Sequence, residues 1–155
     1  MQNRAQPLII QPGTGKDLNA FGNVLSVMLS GEQTGGTISI MSELTPPGAG
    51  PPLHRHNRED EIFIVIEGQI SYFANDVWSE VGPGGLVYLP KGAAHTYRNI
   101  GTTPSRHWII TTPSGFENFF AKCAEEFTSP DGPDQMRIID IHHQHGIEVF
   151  ESFSS

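Results

Sequence analysis

The stretch GAGPPLHRHNREDEIFIVIEG, residues 48–68, decides the fold, because a polar segment with two histidines leads directly into a short apolar strand. Isoleucine, phenylalanine and valine in the second half of this stretch are residues favoured in strands. Side chains alternate between the two faces of a strand, so His54 and His56 point to one face and Arg55 points to the other. Two imidazoles on one face form half of a metal site.

A carboxylate and a third histidine complete this set. Glu61 begins the next strand, and its face continues through the apolar Phe63 and Val65, as expected for the inner wall of a β-barrel. A second stretch, GGLVYLPKGAAHTYRN at 84–99, is predicted to form a strand, a turn and another strand. Three imidazoles and a carboxylate converging in an apolar barrel are costly to desolvate unless a divalent cation compensates them. The predicted ligands are His54, His56, Glu61 and His95.

The rest of the chain predicts an all-β domain. Its 155 residues include 17 glycines and 12 prolines, which separate short runs of β-branched and aromatic residues. The chain shows no internal repeat and no linker, so we expect one domain over residues 1–155. The predicted strands are 23–29, 37–44, 61–66, 69–73, 86–89, 95–99 and 106–112.

Turn residues fall between these strands. Segments 31–36 and 82–85 are predicted turns. Glu67-Gly68 and Asn75-Asp76 are each flanked directly by strand-like runs, and both suit two-residue hairpin loops. A meander of antiparallel strands is expected there.

Helices are predicted at the end of the chain. Apolar residues recur at helical spacing after residue 113, namely Phe116, Phe119, Phe120, Cys123 and Phe127. We interpret this stripe as packing against the outside of the barrel or against a second subunit, with Cys123 in the core. A second helix is expected from Asp134, a plausible N-cap, to Gly146, with residues 147–150 packing back on the barrel.

The histidines outside the predicted site are interpreted as structural. His142, His143 and His145 form a compact cluster in which the first and last share a helical face. We expect a solvated helix end, where a partial positive charge suits the helix dipole, and a second metal site is the alternative. His107 is interpreted as a non-ligand, and Arg55 is expected to pair with a nearby acid such as Glu59.

Charge and hydropathy exclude several classes of partner. The net charge is −8, with 17 acidic and 9 basic residues, and no basic cluster offsets it, so we expect no nucleic-acid partner. The apolar run at 62–66 is too short to cross a bilayer. A single cysteine and an N-terminus without an apolar leader predict a cytoplasmic protein.

The two stretches together resemble the signature motifs of the cupin superfamily, G-x5-H-x-H-x4-E-x6-G and G-x5-P-x-G-x2-H-x3-N. The matching residues are Gly48, His54, His56, Glu61 and Gly68, then Gly84, Pro90, Gly92, His95 and Asn99. Only one motif pair is present, as in a monocupin. The resemblance implies a double-stranded β-helix, or jelly roll, with a barrel over about 20–112 and a helical extension over about 113–150. It also implies a supporting role for Asn99 in the turn.

Residues 51–56, 59–61 and 115–117 resemble more narrowly the bacterial proteins called quercetin 2,3-dioxygenase-like. This resemblance implies one divalent transition metal (Fe, Mn, Ni, Co, Cu or Zn) with positions left open for substrate or dioxygen. The expected activity is a dioxygenase acting on a small enolic or phenolic substrate, with Glu61 as general base. A non-catalytic cupin that binds or senses a small molecule, and a metal-dependent isomerase, are the alternatives.

An edge strand near the N-terminus, within 7–11 or 21–29, must be paired or covered. Cupins commonly dimerise by extending such a sheet, so the resemblance implies a homodimer.

Overall fold

The computed structural model of the protein describes residues 5–150. This part of the chain contains eleven strands and three helices. In chain order they are β1 (Lys16–Ala20), β2 (Asn23–Leu29), α1 (Gly31–Thr34), β3 (Ser39–Thr45), β4 (His54–His56), β5 (Asp60–Glu67), β6 (Ile70–Ala74), β7 (Val77–Val81), β8 (Leu86–Leu89), β9 (Thr96–Asn99), β10 (Ser105–Thr112), α2 (Phe116–Phe127), α3 (Gln135–Gln144) and β11 (Ile147–Val149).

The strands pair antiparallel in three sheets. The largest has the order β1-β2-β3-β10-β5-β8, the second β7-β6-β9 and the third β11-β4. A backbone bridge between His54 and His95 connects β4 to the residue that precedes β9. The all-β, antiparallel architecture with C-terminal helices is confirmed, with its hydrogen bonds divided among three sheets.

Of the two predicted hairpins, only the one at Asn75-Asp76 forms. These residues have φ values of 52° and 61° and join β6 to β7, as a type I′ turn requires. The hairpin predicted at Glu67-Gly68 is wrong, because β5 pairs with β10 and β8, whereas β6 pairs with β7 and β9. The chain crosses between two sheets here. Gly68 has a φ of 89°, and a Cβ on it would lie 2.8 Å from the Cβ of Ser105, so the crossing requires glycine.

The predicted strands agree with β2, β3, β5, β6, β8, β9 and β10 to within two residues at each end. The strand assumed for His54 and His56 is β4. Three further strands, β1, β7 and β11, were not predicted, because β1 and β7 are mostly exposed and β11 has only three residues. The expected turn at 31–36 contains α1, which Ser30 caps. The N-terminal edge strand of the large sheet is β1, so the prediction of that edge within 7–11 or 21–29 is wrong; β2 is paired on both sides.

The core lies between the sheets and continues under the helices. Phe63 and Val65 are buried, which confirms the predicted inner face of β5. Leu25 of β2 and Met41 of β3 are also buried in the same sheet, where Met41 and Phe63 both lie beside Ile109 of β10. Cys123 is fully buried, as expected.

Both C-terminal helices are confirmed. Asp134 caps α3, since its carboxylate accepts hydrogen bonds from the backbone N–H groups of Met136 and Arg137 at 2.9 and 3.2 Å. The chain then returns through β11, which places Ile147 opposite His56. The C-terminal extension is therefore hydrogen-bonded to the strand that carries two of the predicted ligands. Within residues 5–150, no helix has the length and apolarity that a membrane crossing requires.

Candidate metal centre and its cavity

The three histidines of the two stretches come together. His54 and His56 lie on β4, and His95 reaches them from the strand-like bridge before β9. The ring centroids of His54 and His95 are 4.4 Å apart, and those of His56 and His95 are 5.4 Å apart. One ligand atom from each histidine lies within 4.8 Å of the others. Their arrangement is able to hold one metal ion.

Glu61 lies beside this cluster. Its Oε2 is 3.4 Å from Nε2 of His56, and its Oε1 is 3.4 Å from Nε2 of His95. Glu61 is 3% exposed. Three of these buried atoms have no hydrogen-bond partner within the described residues: His56 Nε2, His95 Nε2 and Glu61 Oε2. Unpaired buried polar atoms are costly, and a cation would compensate all three at once, so the donor set fits a divalent metal.

Each of the three histidines is held by a hydrogen bond from its Nδ1 atom. Nδ1 of His54 donates to the carbonyl of Pro52 at 2.8 Å, and Nδ1 of His95 donates to the carbonyl of Ala93 at 3.0 Å. Nδ1 of His56 donates to Oε1 of Glu59 at 2.7 Å. Such contacts select the tautomer whose Nε2 carries a free lone pair, which is the form that binds a metal.

The predicted pairing of Arg55 with Glu59 is therefore wrong. Arg55 points away from the histidines, as expected from alternation, and its guanidinium contacts Glu148 at 2.6 Å across the β4–β11 pair. Glu59 turns inward because the short connection after β4 brings it under His56, three residues earlier. It holds a predicted ligand, a role that the sequence analysis did not assign to it.

Burial and neighbouring charges shift the pKa values of three residues in the site. Burial, followed by the neighbouring His95 and His56, holds the pKa of His54 well below its usual range. Burial also acts to lower the pKa of His56, but Glu61 and Glu59 outweigh it, so that pKa is raised. Burial acts to raise the pKa of Glu61, yet His56 and then His95 lower it to about 2. The site therefore presents a neutral His54 and an ionised Glu61 near neutral pH.

A cavity of about 800 Å³ opens onto this cluster. Its lining is mainly aromatic and aliphatic, and α2 and α3 supply one wall. Phe116, Phe119 and Phe120 of α2 face into it, and the ring of Phe116 lies 5.4 Å from that of His56. The stripe was predicted to pack against the outside of the barrel or against a second subunit. Its members Phe116, Phe119 and Phe120 line the cavity instead, because α2 forms part of the cavity wall.

The C-terminal histidines do not form a second cluster of ligands. His142 is half-buried, its Nδ1 donates to the carbonyl of Ile138 at 2.7 Å, and its ring packs 4.8 Å from that of Phe119. Burial lowers the pKa of His142. The prediction of a solvated helix end is therefore wrong for His142, which lines the cavity. In the described part of the chain, the one group of three convergent ligands is His54, His56 and His95.

Sequence reasoning missed a second buried polar cluster. Glu43 on β3 lies directly opposite His107 on β10, and both are buried. Glu43 Oε1 accepts a hydrogen bond from the hydroxyl of Tyr97, and Nδ1 of His107 lies 2.7 Å from the hydroxyl of Tyr72. His107 is outside the metal cluster, in agreement with its interpretation as a non-ligand. The sequence did contain an indication of this cluster, because Glu43 lies between inward-facing residues of an apolar strand.

Asn99 supports the loops around this region, in agreement with its expected role. Its Nδ2 donates to the carbonyls of Thr45 and Thr103 at 3.0 and 2.9 Å, and its Oδ1 accepts from the N–H of Gly101. The side chain thus joins β3, β9 and the connection to β10.

Comparison with known proteins agrees with the fold and the motifs described above. A family model described as Cupin domain matches residues 41–110. Quercetin 2,3-dioxygenase of Bacillus subtilis is 23% identical over 123 residues, which cover 79% of this chain and 36% of that enzyme. The chain spans less than two thirds of the length of the curated relatives that it matches.

Solved structures share the fold. KdgF from Halomonas sp. superimposes with a TM-score of 0.65 at 14% identity, over 73% of this chain and 99% of that one. A sugar phosphate isomerase from Silicibacter pomeroyi gives a TM-score of 0.56 at 18% identity, over 68% and 75% of the two chains. The jelly roll, the matching motif residues and the family model agree: residues 41–110 match the cupin domain, and the chain has the cupin fold.

Proposed function

We propose that this cupin binds one divalent transition metal and acts as a dioxygenase on a small enolic or phenolic substrate. The proposed ligands are His54, His56, Glu61 and His95. The observation that carries the proposal is the set of buried atoms without hydrogen-bond partners in this cluster, at the wall of an apolar cavity. When bound, a transition metal supplies Lewis acidity toward an enolate or phenolate and, for redox-active ions, reactivity toward dioxygen.

The cavity lining supports an aromatic substrate. Phe63, Phe116 and Phe119 present rings that suit a flat apolar ligand. Arg98 is the one arginine or lysine that lines the cavity within residues 5–150, and it is exposed. A phosphorylated sugar would find little to neutralise its charge there, which disfavours a sugar-phosphate isomerase. The similarity to a protein named quercetin 2,3-dioxygenase favours a phenolic ligand as well.

Glu61 is the proposed proton acceptor. Its carboxylate is buried, ionised and in contact with two imidazoles, so a substrate hydroxyl in the cluster would donate to one of its oxygens. A pKa of about 2 makes Glu61 a weak base in the metal-free protein. Proton transfer to it therefore requires a substrate hydroxyl whose own pKa is lowered at the site.

Replacing Glu61 by glutamine tests both parts of this proposal. The amide keeps the shape of the side chain but cannot take the proton, so we expect turnover to fall by about 10²–10⁴-fold while metal content falls much less. Oxygen uptake by metal-loaded protein, measured with a flavonol, a catechol and a β-diketone, gives the turnover. Elemental analysis of the same sample gives the metal content.

Glu67→Gln is the matched control, since Glu67 ends the same strand and is exposed. It is expected to leave oxygen uptake and metal content unchanged. Equal loss of turnover and metal in Glu61→Gln would reduce Glu61 to a ligand. Absence of oxygen uptake by the wild type with all three substrates would contradict the dioxygenase and favour a cupin that only binds its ligand.

We also propose a homodimer formed through the β1 edge. The strand Lys16–Ala20 ends the large sheet, and the preceding segment exposes Leu8, Ile9 and Ile10, with Ile9 92% exposed. An unpaired edge beside exposed apolar residues is a favourable surface for a second copy.

Sedimentation equilibrium checks this second proposal. The wild type is expected to have the mass of two chains, and Ile9→Asp should shift it toward one chain. Met136→Asp is the matched control, because Met136 is also an exposed apolar residue, 68% exposed, but lies on α3. A wild type with the mass of one chain would contradict the proposal.

A further inference from the structure

We infer that the cavity contains a second ligand-binding patch, formed by Glu43 and Asn23, which accepts hydrogen bonds from a hydroxyl of the ligand. This inference rests on the proposed function and narrows its substrate class. The substrate would carry one oxygen for the histidine cluster and a further hydroxyl elsewhere on an aromatic scaffold. Neither residue belongs to the cupin motifs matched above.

Only one of the two carboxylate oxygens of Glu43 is used by the neighbouring donors. Glu43 is 3% exposed, and its three neighbouring donors all use the same oxygen, Oε1. These are the hydroxyl of Tyr97, Oγ1 of Thr45 at 3.4 Å and Nε2 of His107 at 3.4 Å. None of these three contacts involves Oε2, and Glu43 lines the cavity. A carboxylate has about four acceptor positions, so this oxygen is available to a ligand.

Asn23 provides an independent observation that points to a ligand. Its side chain is 7% exposed and lines the cavity, and its Oδ1 is buried without a hydrogen-bond partner in residues 5–150. Buried amide oxygens in folded proteins nearly always have a partner, and an unpaired one in a cavity wall indicates a partner that comes from outside the chain. A ligand hydroxyl would supply it.

The register of the strands places these two acceptors on one wall. Leu25 of β2 lies opposite Glu43 of β3. Asn23 precedes Leu25 by two residues, so it points to the same face and is the diagonal neighbour of Glu43. Diagonal neighbours on one face lie close enough for a single hydroxyl to share its one hydrogen between the two acceptors, or for two adjacent hydroxyls to donate one hydrogen bond to each.

The patch is held by neighbouring side chains and is separate from the histidine cluster. His107 supports Glu43 from the opposite strand, and His107 is itself held by the Tyr72 hydroxyl at 2.7 Å. The ring of Phe63 lies between the two sites, 4.7 Å from the ring of His107 and 6.1 Å from that of His95. A ligand in contact with both sites must therefore pass over an aromatic face, which an aromatic scaffold does by stacking.

The chemistry of the patch selects among ligands. Two acceptors, one of them a carboxylate, favour a hydroxyl donor and disfavour a carboxylate or phosphate on the ligand. A site built to accept a hydrogen bond also rejects the analogue that lacks the hydroxyl, because its own polar groups then stay unpaired. The patch therefore discriminates between aromatic compounds that differ by a single hydroxyl.

The test compares flavonols in the metal-loaded protein without oxygen, so that binding is measured without turnover. The probes are 3-hydroxyflavone and its 3,7-, 3,3′- and 3,4′-dihydroxy isomers, titrated by their own fluorescence. At least one isomer is expected to bind the wild type about ten-fold more tightly than 3-hydroxyflavone. Glu43→Gln and Asn23→Leu should each reduce that preference to about two-fold or less, whereas Glu67→Gln should leave it unchanged.

Asn23→Leu keeps the test decisive if Glu43→Gln disturbs the buried cluster, since Asn23 Oδ1 has no partner in the described chain to lose. Thermal unfolding of each variant verifies that it is folded. Equal affinity of the wild type for all four flavonols, or a preference that survives in Asn23→Leu, would overturn the inference and leave the proposed function intact. Failure of 3-hydroxyflavone itself to bind would overturn the phenolic substrate class together with the inference.

Discussion

Protein in which His54 and His95 are both replaced by alanine is expected to purify without metal, whereas the wild type carries about one ion per chain. A four-ligand zinc site contributes roughly 10–16 kcal/mol, so the loss of two ligands should cost on the order of 5 kcal/mol, more than a thousandfold in affinity. Elemental analysis of untagged protein purified without chelators measures this directly. Thermal unfolding provides a second readout, because a metal that binds only the folded state raises Tm in the wild type and not in the variant.

The control is the double variant His142→Ala/His145→Ala. These side chains donate through Nδ1 to the carbonyls of Ile138 and Ile141 and do not converge on a common point with a third ligand. Their removal is expected to leave the metal in place. Metal retained in the first variant, or lost in the second, would contradict the assignment of the site to the jelly roll.

The identity of the metal then separates the functional alternatives. Iron, manganese, nickel, cobalt or copper in the wild type would support oxygen chemistry. Zinc has no redox chemistry, so a zinc protein would favour ligand binding or isomerisation. The ligand set of imidazoles and one carboxylate suits all of these ions, which is why the sequence does not choose among them.

The predicted ligands could be read from the sequence because two-residue alternation is a local property. His54 and His56 share a face on any strand, and Glu61 begins the apolar face of β5, whatever lies opposite. The convergence with His95 was inferred from the desolvation cost of the whole set and agrees with the motif resemblance. The structure groups His95 with His54 and His56 and places Glu61 beside His56 and His95.

The features that sequence reasoning missed depend on non-local geometry. Glu43 and His107 meet because β3 and β10 pair in one particular register, which no local pattern specifies. Phe116 lines the cavity because α2 packs beside the histidine cluster, and an apolar helical stripe has the same sequence pattern whether it faces a core or a cavity. Glycine occurs both in hairpin turns and in crossings between sheets such as the one at Gly68. Only the pairing of the flanking strands distinguishes a hairpin from a crossing.

Replacement of Glu59 by glutamine is expected to weaken metal binding by about 10-fold at slightly alkaline pH, and replacement by alanine by up to about 100-fold. The carboxylate of Glu59 accepts from Nδ1 of His56 at 2.7 Å, and this contact orients the ring and makes Nε2 a stronger ligand. Glutamine preserves the hydrogen bond and removes the charge, while alanine removes both. Metal affinity is measured by competition with a chelator of known affinity.

Glu148→Gln is the matched control, because Glu148 contacts Arg55 on the opposite face of β4 and should leave metal affinity unchanged. The dependence on pH separates an electrostatic effect from a loss of structure. Glu61 and Glu59 raise the pKa of His56, so in the wild type protons compete with the metal from a higher pH downward. Without the charge of Glu59 that pKa falls, so competition begins at a lower pH and the deficit of Glu59→Gln should narrow between about pH 8 and about pH 6. A deficit of the same size at both pH values would show that Glu59 acts through the fold of the β4–β5 connection rather than through the charge that it places under His56.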